Sequence, residues 1–202
     1  MGVLLNKQKD EDDFQTSFEI QNVVASVTLG QKLDLEDIKK AILTTQYNPD
    51  RFPGLVYRLK RPNNITTLIF SSGKKVCTGA KSEKQARSVV NKVVRELKNN
   101  GIIILNKPKT VIVNMVASGD LGLQVDLEIA ADVLDAVMYE PEQFPGMVVR
   151  MSDPKVVFLV FATGKCVCTG AKSRGMVGVA MTKLFNEFDD FDLFFSNSIR
   201  NI

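Results

Sequence analysis

Along residues 19 to 27 the chain splits cleanly by parity. Val23, Ala25 and Val27 fall on one set, Asn22, Val24 and Ser26 on the other, and β-branched residues are common in both. Successive side chains of a strand point to opposite faces, so this stretch predicts a strand with two usable faces. Residues 55–59, 66–70 and 75–79 read the same way, with Gly73 marking the turn between the last two. Elsewhere the period becomes helical. Asp34 is placed as the N-cap of a short helix carrying Leu35, Ile38 and Ile42. Ser82-x-x-Gln85 is a capping-box pattern opening a longer helix, with Ala86, Val89, Val90, Val93, Val94 and Leu97 on one face. Asp126 and Ser173 repeat these starts, although Gly175 and Gly178 lower the helix propensity of the last segment.

The whole pattern occurs twice. At an offset of 92 residues, Ile20–Glu36 matches Ile112–Glu128 at 10 of 17 positions, and Tyr47–Arg58 matches Tyr139–Arg150 at 7 of 12. The loop after Pro62 is one residue longer than the loop after Pro154, and beyond it Phe70–Ser82 matches Phe161–Ser173 at 10 of 13. A period near 90 exceeds the roughly 20–50 residues of solenoid repeats, so each copy is a small domain or half-domain, and the pair should be related by a pseudo-twofold axis. The predicted organisation is a mobile polar tail over residues 1–18, repeat 1 over 19–106 and repeat 2 over 107–202. The class is α+β, an antiparallel sheet with helices on one side.

Both parities of the strands are largely apolar. Val23, Ala25, Val27, Leu55, Tyr57, Leu59, Ile69 and Cys77 form the set assigned to the helices. The other set is Asn22, Val24, Ser26, Val56, Arg58, Leu68, Phe70, Val76 and Thr78, and two helices per copy are too few to cover it as well. An antiparallel sheet open to water normally carries polar residues on that face. Something therefore covers this one: the second copy stacked as a sandwich, a second chain, or a ligand.

Charge narrows the choice. The formal net charge of +3 divides into −2 over residues 1–18, +8 over 19–106 and −3 over 107–202, which favours a polyanion near one part and a basic partner near another. With no histidine, most nucleophilic triads and zinc sites are excluded. No pair of carboxylates recurs in both copies on the uncovered parity, so catalytic machinery is not visible and an enzyme is not expected. Three cysteines are too few for a disulfide scaffold and point to a reducing compartment. No segment reaches the ~18 apolar residues of a membrane span, and no secretory leader is recognised.

Asn22-Val23-Val24-Ala25-Ser26-Val27-Thr28-Leu29, Tyr47-Asn48-Pro49-Asp50-Arg51-Phe52-Pro53-Gly54, Tyr139-Glu140-Pro141-Glu142-Gln143-Phe144-Pro145-Gly146 and the two Thr-Gly-Ala-Lys-Ser runs together carry a specific resemblance. The chain resembles the TATA-box-binding protein family in its archaeal form, over residues 19 to about 188. The resemblance implies a saddle: two pseudo-symmetric repeats forming one curved antiparallel sheet, helices on the convex side, the concave underside on a DNA minor groove. It implies a general transcription initiation factor with no cofactor, its partners being promoter DNA, a transcription factor B-type protein and the RNA polymerase pre-initiation complex. The location implied is cytoplasmic and nucleoid-associated in an archaeon, or nuclear in a eukaryote.

Minor-groove wedging and kinking are the family's established behaviour, and residue roles follow from the resemblance. Phe52 with Phe70, and Phe144 with Phe161, match the wedging pairs. Asn22, Asn114, Thr78 and Thr169 match the central base-edge contacts, while Val24, Val116, Val76, Val167, Leu68 and Leu159 match the groove floor. Arg58, Arg150, Lys74 and Lys165 match phosphate-edge positions, with Lys81 and Lys172 beside them. Glu140 and Glu142 match the acidic turn that docks the transcription factor B-type protein, and the basic helix near 82–98 is a candidate surface for an accessory factor. Val149 stands where the family often has tyrosine. A paralogue that uses the same saddle as a specialised regulator or protein-binding surface is the alternative, as is a homodimer when DNA is absent.

Two further signals are set aside. Gly73-Lys74-Lys75-Val76-Cys77-Thr78-Gly79-Ala80-Lys81-Ser82 has the wrong spacing for a phosphate-binding loop and lies on a strand. Cys166 and Cys168 share the helix-facing parity and Cys168 repeats Cys77, which reads as core rather than metal ligation.

Overall fold

The structure is a computed structural model and describes residues 17–59 and 64–195. The expected tail up to residue 16 and the first part of the longer loop at 61–65 lie outside the described residues. Repeat 1 runs β1 (Ser17–Thr28), α1 (Leu35–Ala41), β2 (Thr45–Asn48), β3 (Phe52–Leu59), β4 (Ile65–Ile69), β5 (Lys74–Ala80) and α2 (Glu83–Asn99). Repeat 2 runs β6 (Lys109–Asp120), α3 (Leu127–Val133), β7 (Val137–Met138), β8 (Gly146–Ser152), β9 (Lys155–Phe161), β10 (Lys165–Ala171) and α4 (Arg174–Asp190).

All ten strands belong to one antiparallel sheet in the order β2-β3-β4-β5-β1-β6-β10-β9-β8-β7. The two copies meet edge to edge through β1 and β6, paired from Ser17↔Asp120 to Thr28↔Lys109. This arrangement corrects the sandwich reading. Long central strands leave their backbone groups facing each other, so the ladder continues across the pseudo-twofold axis and all four helices serve one face.

The helices start where the sequence predicted. Asp34 Oδ1 accepts from the amides of Glu36 and Asp37 at 2.9 and 3.0 Å, and Asp126 Oδ1 from those of Glu128 and Ile129 at 3.2 and 3.1 Å. Ser82 and Ser173 accept from the amides of Gln85 and Met176, both at 3.1 Å. The return arm of the box is displaced by one residue, because Gln85 Oε1 accepts from the Lys81 amide. Each cap satisfies amides that the first turn leaves without a partner. Despite its glycines, α4 has the same 17 residues as α2. The Arg174 guanidinium lies over the Phe18 ring at 4.5 Å, and Val177, Ala180, Met181, Leu184 and Phe188 are buried, so tertiary packing outweighs the weak propensity. That packing also explains why β1 begins at Ser17, two residues before the expected start of the repeat. The edge strands β2 and β7 were not predicted, being short and without alternation.

The core lies between the sheet and the helices. Val23, Ala25, Val27, Leu55, Ile69 and Cys77 are fully or almost fully buried, as are Val90, Val93 and Leu97 of α2 and Val177, Ala180, Met181, Leu184 and Phe188 of α4. One member of this layer is a cation. Lys75 is 1 % exposed, sits between Val27 and Ile69 in the sheet, and its Nζ has no hydrogen-bond partner among the described residues. Burial alone pulls its ammonium down to about 8. In repeat 2 the same place holds Cys166, whose thiol burial pushes up to about 12.

A depressed lysine pKa is a stability cost while the group stays charged. Between pH 8 and about 10.5 the unfolded chain keeps the Lys75 proton that the folded chain has released, so this residue makes stability rise with pH. Lys75→Met is expected to stabilise the fold by an amount on the order of 3 kcal/mol below pH 8, and the gain should shrink as pH approaches 10.5. Urea unfolding of both proteins across this range checks it; a gain independent of pH would show that Lys75 is not held in a dry site.

Candidate nucleic-acid interface

The second face of the sheet has no cover among the described residues. Asn22, Val24, Ser26, Val56, Leu68, Phe70, Val76 and Thr78 are each half-buried and Arg58 is exposed, whereas their strand neighbours of opposite parity are buried. Repeat 2 places Asn114, Val116, Ser118, Val148, Leu159, Phe161, Val167 and Thr169 in the same state, with Arg150 exposed. In-register pairing lines these residues up across the strands. Val56, Leu68, Val76 and Ser26 form one row, and Val148, Leu159, Val167 and Ser118 form its pseudo-symmetric mate. At the centre Asn22 faces Val116 and Val24 faces Asn114.

A β-bulge precedes each central asparagine. The register shifts between Ile20 and Asn22 on one strand and between Ile112 and Asn114 on the other, so two consecutive residues turn to the open face. Asn22 Oδ1 accepts from the Gly79 amide at 2.8 Å and Asn114 Oδ1 from the Gly170 amide at 2.8 Å. Those glycines have φ of +99° and +97°, values that a side chain would strain. Asn22 Nδ2 donates to Thr78 Oγ1 at 3.2 Å, and Asn114 Nδ2 to Thr169 Oγ1 at 3.3 Å. With each carbonyl oxygen held by backbone, each amide keeps a second N–H for a ligand. The pair is a fixed set of donors on an apolar floor.

Four phenylalanines stand in two matched pairs. The Phe52 and Phe70 ring centroids are 5.9 Å apart at 65°, and those of Phe144 and Phe161 are 5.9 Å apart at 60°. Phe52 is 38 % exposed and Phe144 44 % exposed. The reason lies in the Phe-Pro-Gly sequence. A Cβ on Gly54 would sit 2.6 Å from the Phe52 ring and 3.0 Å from the Phe70 ring, and one on Gly146 2.7 and 3.1 Å from Phe144 and Phe161. Each glycine is the floor on which two rings lean together. Phe52 opens β3; Phe144 ends a turn in which its amide and that of Gln143 both donate to the Glu140 carbonyl at 3.0 Å.

The edges are basic and unneutralised. Lys74, Lys165, Arg58 and Arg150 are exposed, and the ion pairs among the described residues are Lys40 with Asp37 and Lys183 with Asp153, away from this face. Arg58 Nη1 donates to Gln46 Oε1. Arg150 joins Lys155 and Lys172 around an open groove of about 580 Å³ floored by Val113, Asn114 and Thr169. Lys155 and Val113 were not anticipated; Val113 reaches this face through the bulge. The equivalent bulge turns Gln21 outward, and the sequence carries its trace, since Ile20 and Val23 are both buried although they differ in parity. Glu140 and Glu142 are exposed on the turn before Phe144, where Gln143 Nε2 donates to Glu140 Oε2.

Chemically, the described residues of the face offer apolar contact, amide donors, four flat rings and peripheral cations. The thiols of Cys77, Cys166 and Cys168 lie on the helix side, each raised by burial, and among the described residues no three His, Cys, Asp or Glu side chains are placed to hold a metal ion. No helix among the described residues is long and apolar enough to cross a membrane.

Residues 17–100 and 109–191 match the sequence profile of the family described as "Transcription factor TFIID (or TATA-binding protein, TBP)". The chain belongs to this family. It is 49% identical over 179 residues to the TATA-box-binding protein of Pyrobaculum neutrophilum, covering 89% of this chain and 90% of that one. Identity to the TATA-box-binding protein of Pyrodictium occultum is 51% over 177 residues, 88% of each. The fold is similar to that of Methanococcus jannaschii TBP, with a TM-score of 0.81, 43% identity, and coverage of 86% of this chain and 99% of that one. The open ten-stranded sheet with four helices is the TBP saddle, and the chain is a transcription factor rather than an enzyme.

Gly54→Ala and Gly146→Ala are expected to push the rings of each TBP pair apart while the chain stays folded, at a cost of ~1–3 kcal/mol for overpacking. Aromatic chemical shifts of the four phenylalanines report the change. Shifts that match the parent chain would show that something other than the glycines sets the pairs.

Proposed function

We propose that the uncovered face is a DNA minor-groove surface, and that the chain is a general initiation factor for A·T-rich TATA-box promoters. The observation that carries the reading is the pair of matched phenylalanine pairs at the ends of an open apolar floor. Rings left in water have no folding role that burial inside the same chain would not serve better. Inserted between base steps, they unstack and kink the duplex, and that deformation brings more of the floor into contact.

The central donors suit the groove they would enter. The minor groove of A·T pairs presents the acceptors A N3 and T O2, and a G·C pair adds an amine donor. Asn22, Asn114, Thr78 and Thr169 supply donors to the first. Val24, Val116, Val76, Val167, Leu68 and Leu159 would bury the second without a partner, so the face prefers A·T pairs without reading each base. Arg58, Arg150, Lys74 and Lys165 meet phosphates at the edges, which makes affinity fall as salt rises. The exposed carboxylates Glu140 and Glu142 dock the transcription factor B-type protein, which brings in the RNA polymerase, and a basic surface on that partner suits them. With DNA absent, two chains can hide their apolar faces against each other.

End-to-end fluorescence transfer on a labelled TATA-type duplex, against a G·C-substituted control, tests the reading. Phe144→Ala or Phe161→Ala should abolish most of the bend and weaken the complex about tenfold or more, since an aromatic ring stacked on a base contributes ~1–3 kcal/mol. Unchanged bending in both variants would sink the wedge assignment. A second test separates scaffold from contact. Asn114→Ala removes the acceptor of the Gly170 amide and should cost ~1–2 kcal/mol of stability. Asn114→Asp keeps that acceptor but replaces the outward donor, and should lose A·T binding with less effect on melting. Glu142→Lys should weaken the ternary complex with the transcription factor B-type protein and spare binary DNA binding; equal loss of both would mean the turn had misfolded.

A further inference from the structure

A hollow of about 270 Å³ opens on the helix side of the sheet, at the pseudo-twofold axis. Its floor is Ile20 with Val23 and Met115, the last two paired across the β1–β6 seam and occupying equivalent positions in the two repeats. Its walls are the starts of two helices, Ser82 and Glu83 at α2 and Arg174 at α4. Lys81, Lys84 and Arg174 stand around the floor, all exposed, with Glu83 the carboxylate among the lining residues. Lys81 Nζ donates to Gln21 Oε1 at 2.7 Å and Arg174 lies over the Phe18 ring, but none of the three cations forms an ion pair among the described residues. An apolar hollow bordered by unneutralised cations and by two helix N-termini suits an acidic segment that carries one large apolar side chain.

The chain carries such a segment, tethered at the rim. Asp10-Glu11-Asp12-Asp13-Phe14 lies just ahead of β1. Phe18, the ring under the Arg174 guanidinium, follows Phe14 by four positions, and Ile20 of the floor follows by six. Four extended residues span ~13 Å, so Gln15, Thr16 and Ser17 suffice to turn Phe14 back toward the hollow. Four consecutive carboxylates repel one another, and cations beside them relieve that repulsion. A short tether also holds the segment at an effective concentration in the millimolar range, so weak contacts are enough. We infer that residues 10–14 dock in this hollow within their own chain, Phe14 on the floor of Ile20, Val23 and Met115 and the carboxylates toward Lys81, Lys84 and Arg174. The docked segment closes the helix side of the pseudo-twofold axis and takes the place that a foreign acidic chain would need. Such a partner must displace it.

The sequence contains no tryptophan, so Phe14→Trp in the full chain supplies a single indole as reporter. At low salt its emission should be blue-shifted, and its quenching by acrylamide slower, relative to a free peptide of residues 8–18 with the same substitution. Both should move toward the peptide values as salt rises, because the carboxylate contacts are exposed to screening. Lys84→Glu should lower the ratio of docked to free segment about fivefold, the size of an exposed attraction exchanged for a repulsion. Asp12→Lys added to Lys84→Glu should restore the protection, which a disturbed α2 would not allow. Emission and quenching equal to those of the peptide at low salt, or protection that Lys84→Glu leaves unchanged, overturn the inference. Protection that disappears on dilution would put the segment on a second copy of the chain and overturn it equally.

Discussion

Everything distinctive about this molecule depends on the pairing of β1 with β6. Joined at that seam, the two copies become one sheet, and their helices are obliged to lie on the same side of it. Stacked face to face, the same two copies would have buried both apolar parities and left a conventional polar exterior. The seam is 12 residues long on each strand, and its register is held by inward-facing Val23, Ala25, Val27, Met115 and Ala117, all buried. A shift of one residue would turn those side chains outward and bring the open face into the core. The apolar underside is thus a consequence of a strongly determined register, and the cost of exposing it is borne by the well-packed helix side.

Backbone geometry also sets the polar groups of the open face. Each amide oxygen accepts from the Gly79 or Gly170 N–H, where φ beyond +90° is available because those residues carry no side chain. Backbone therefore decides which end of each amide points outward. Gly54 and Gly146 act in the same way on the phenylalanines, through absence of volume rather than through a contact. The asparagines and phenylalanines of this face are aimed by four glycines.

Much of this was legible in the sequence, and for a definable reason. Parity and the repeat together fixed which face each strand residue would take, the helix caps announced α1 to α4, and two symmetric Phe-Pro-Gly runs marked the ring pairs. What parity could not show is where it breaks. Gln21 and Val113 were missed because a bulge shifts the pattern by one, and Ile20 lying three residues from Val23 was the trace it left. Lys75 was missed for a different cause: its parity was clear, yet a lysine beside a lysine reads as solvated surface until packing shows one of them to be dry.

Lys75 also shows what duplication allows. Cys166 occupies the same buried place in repeat 2, so one framework accepts either an unpartnered amine or a thiol, at different costs in stability. Divergence in the core is limited by volume, and it leaves the open face unchanged. Divergence on the open face meets no such limit at Val111 and Val113, which are exposed, whereas Gln21 donates to Glu19 and Ser118 and accepts from Lys81.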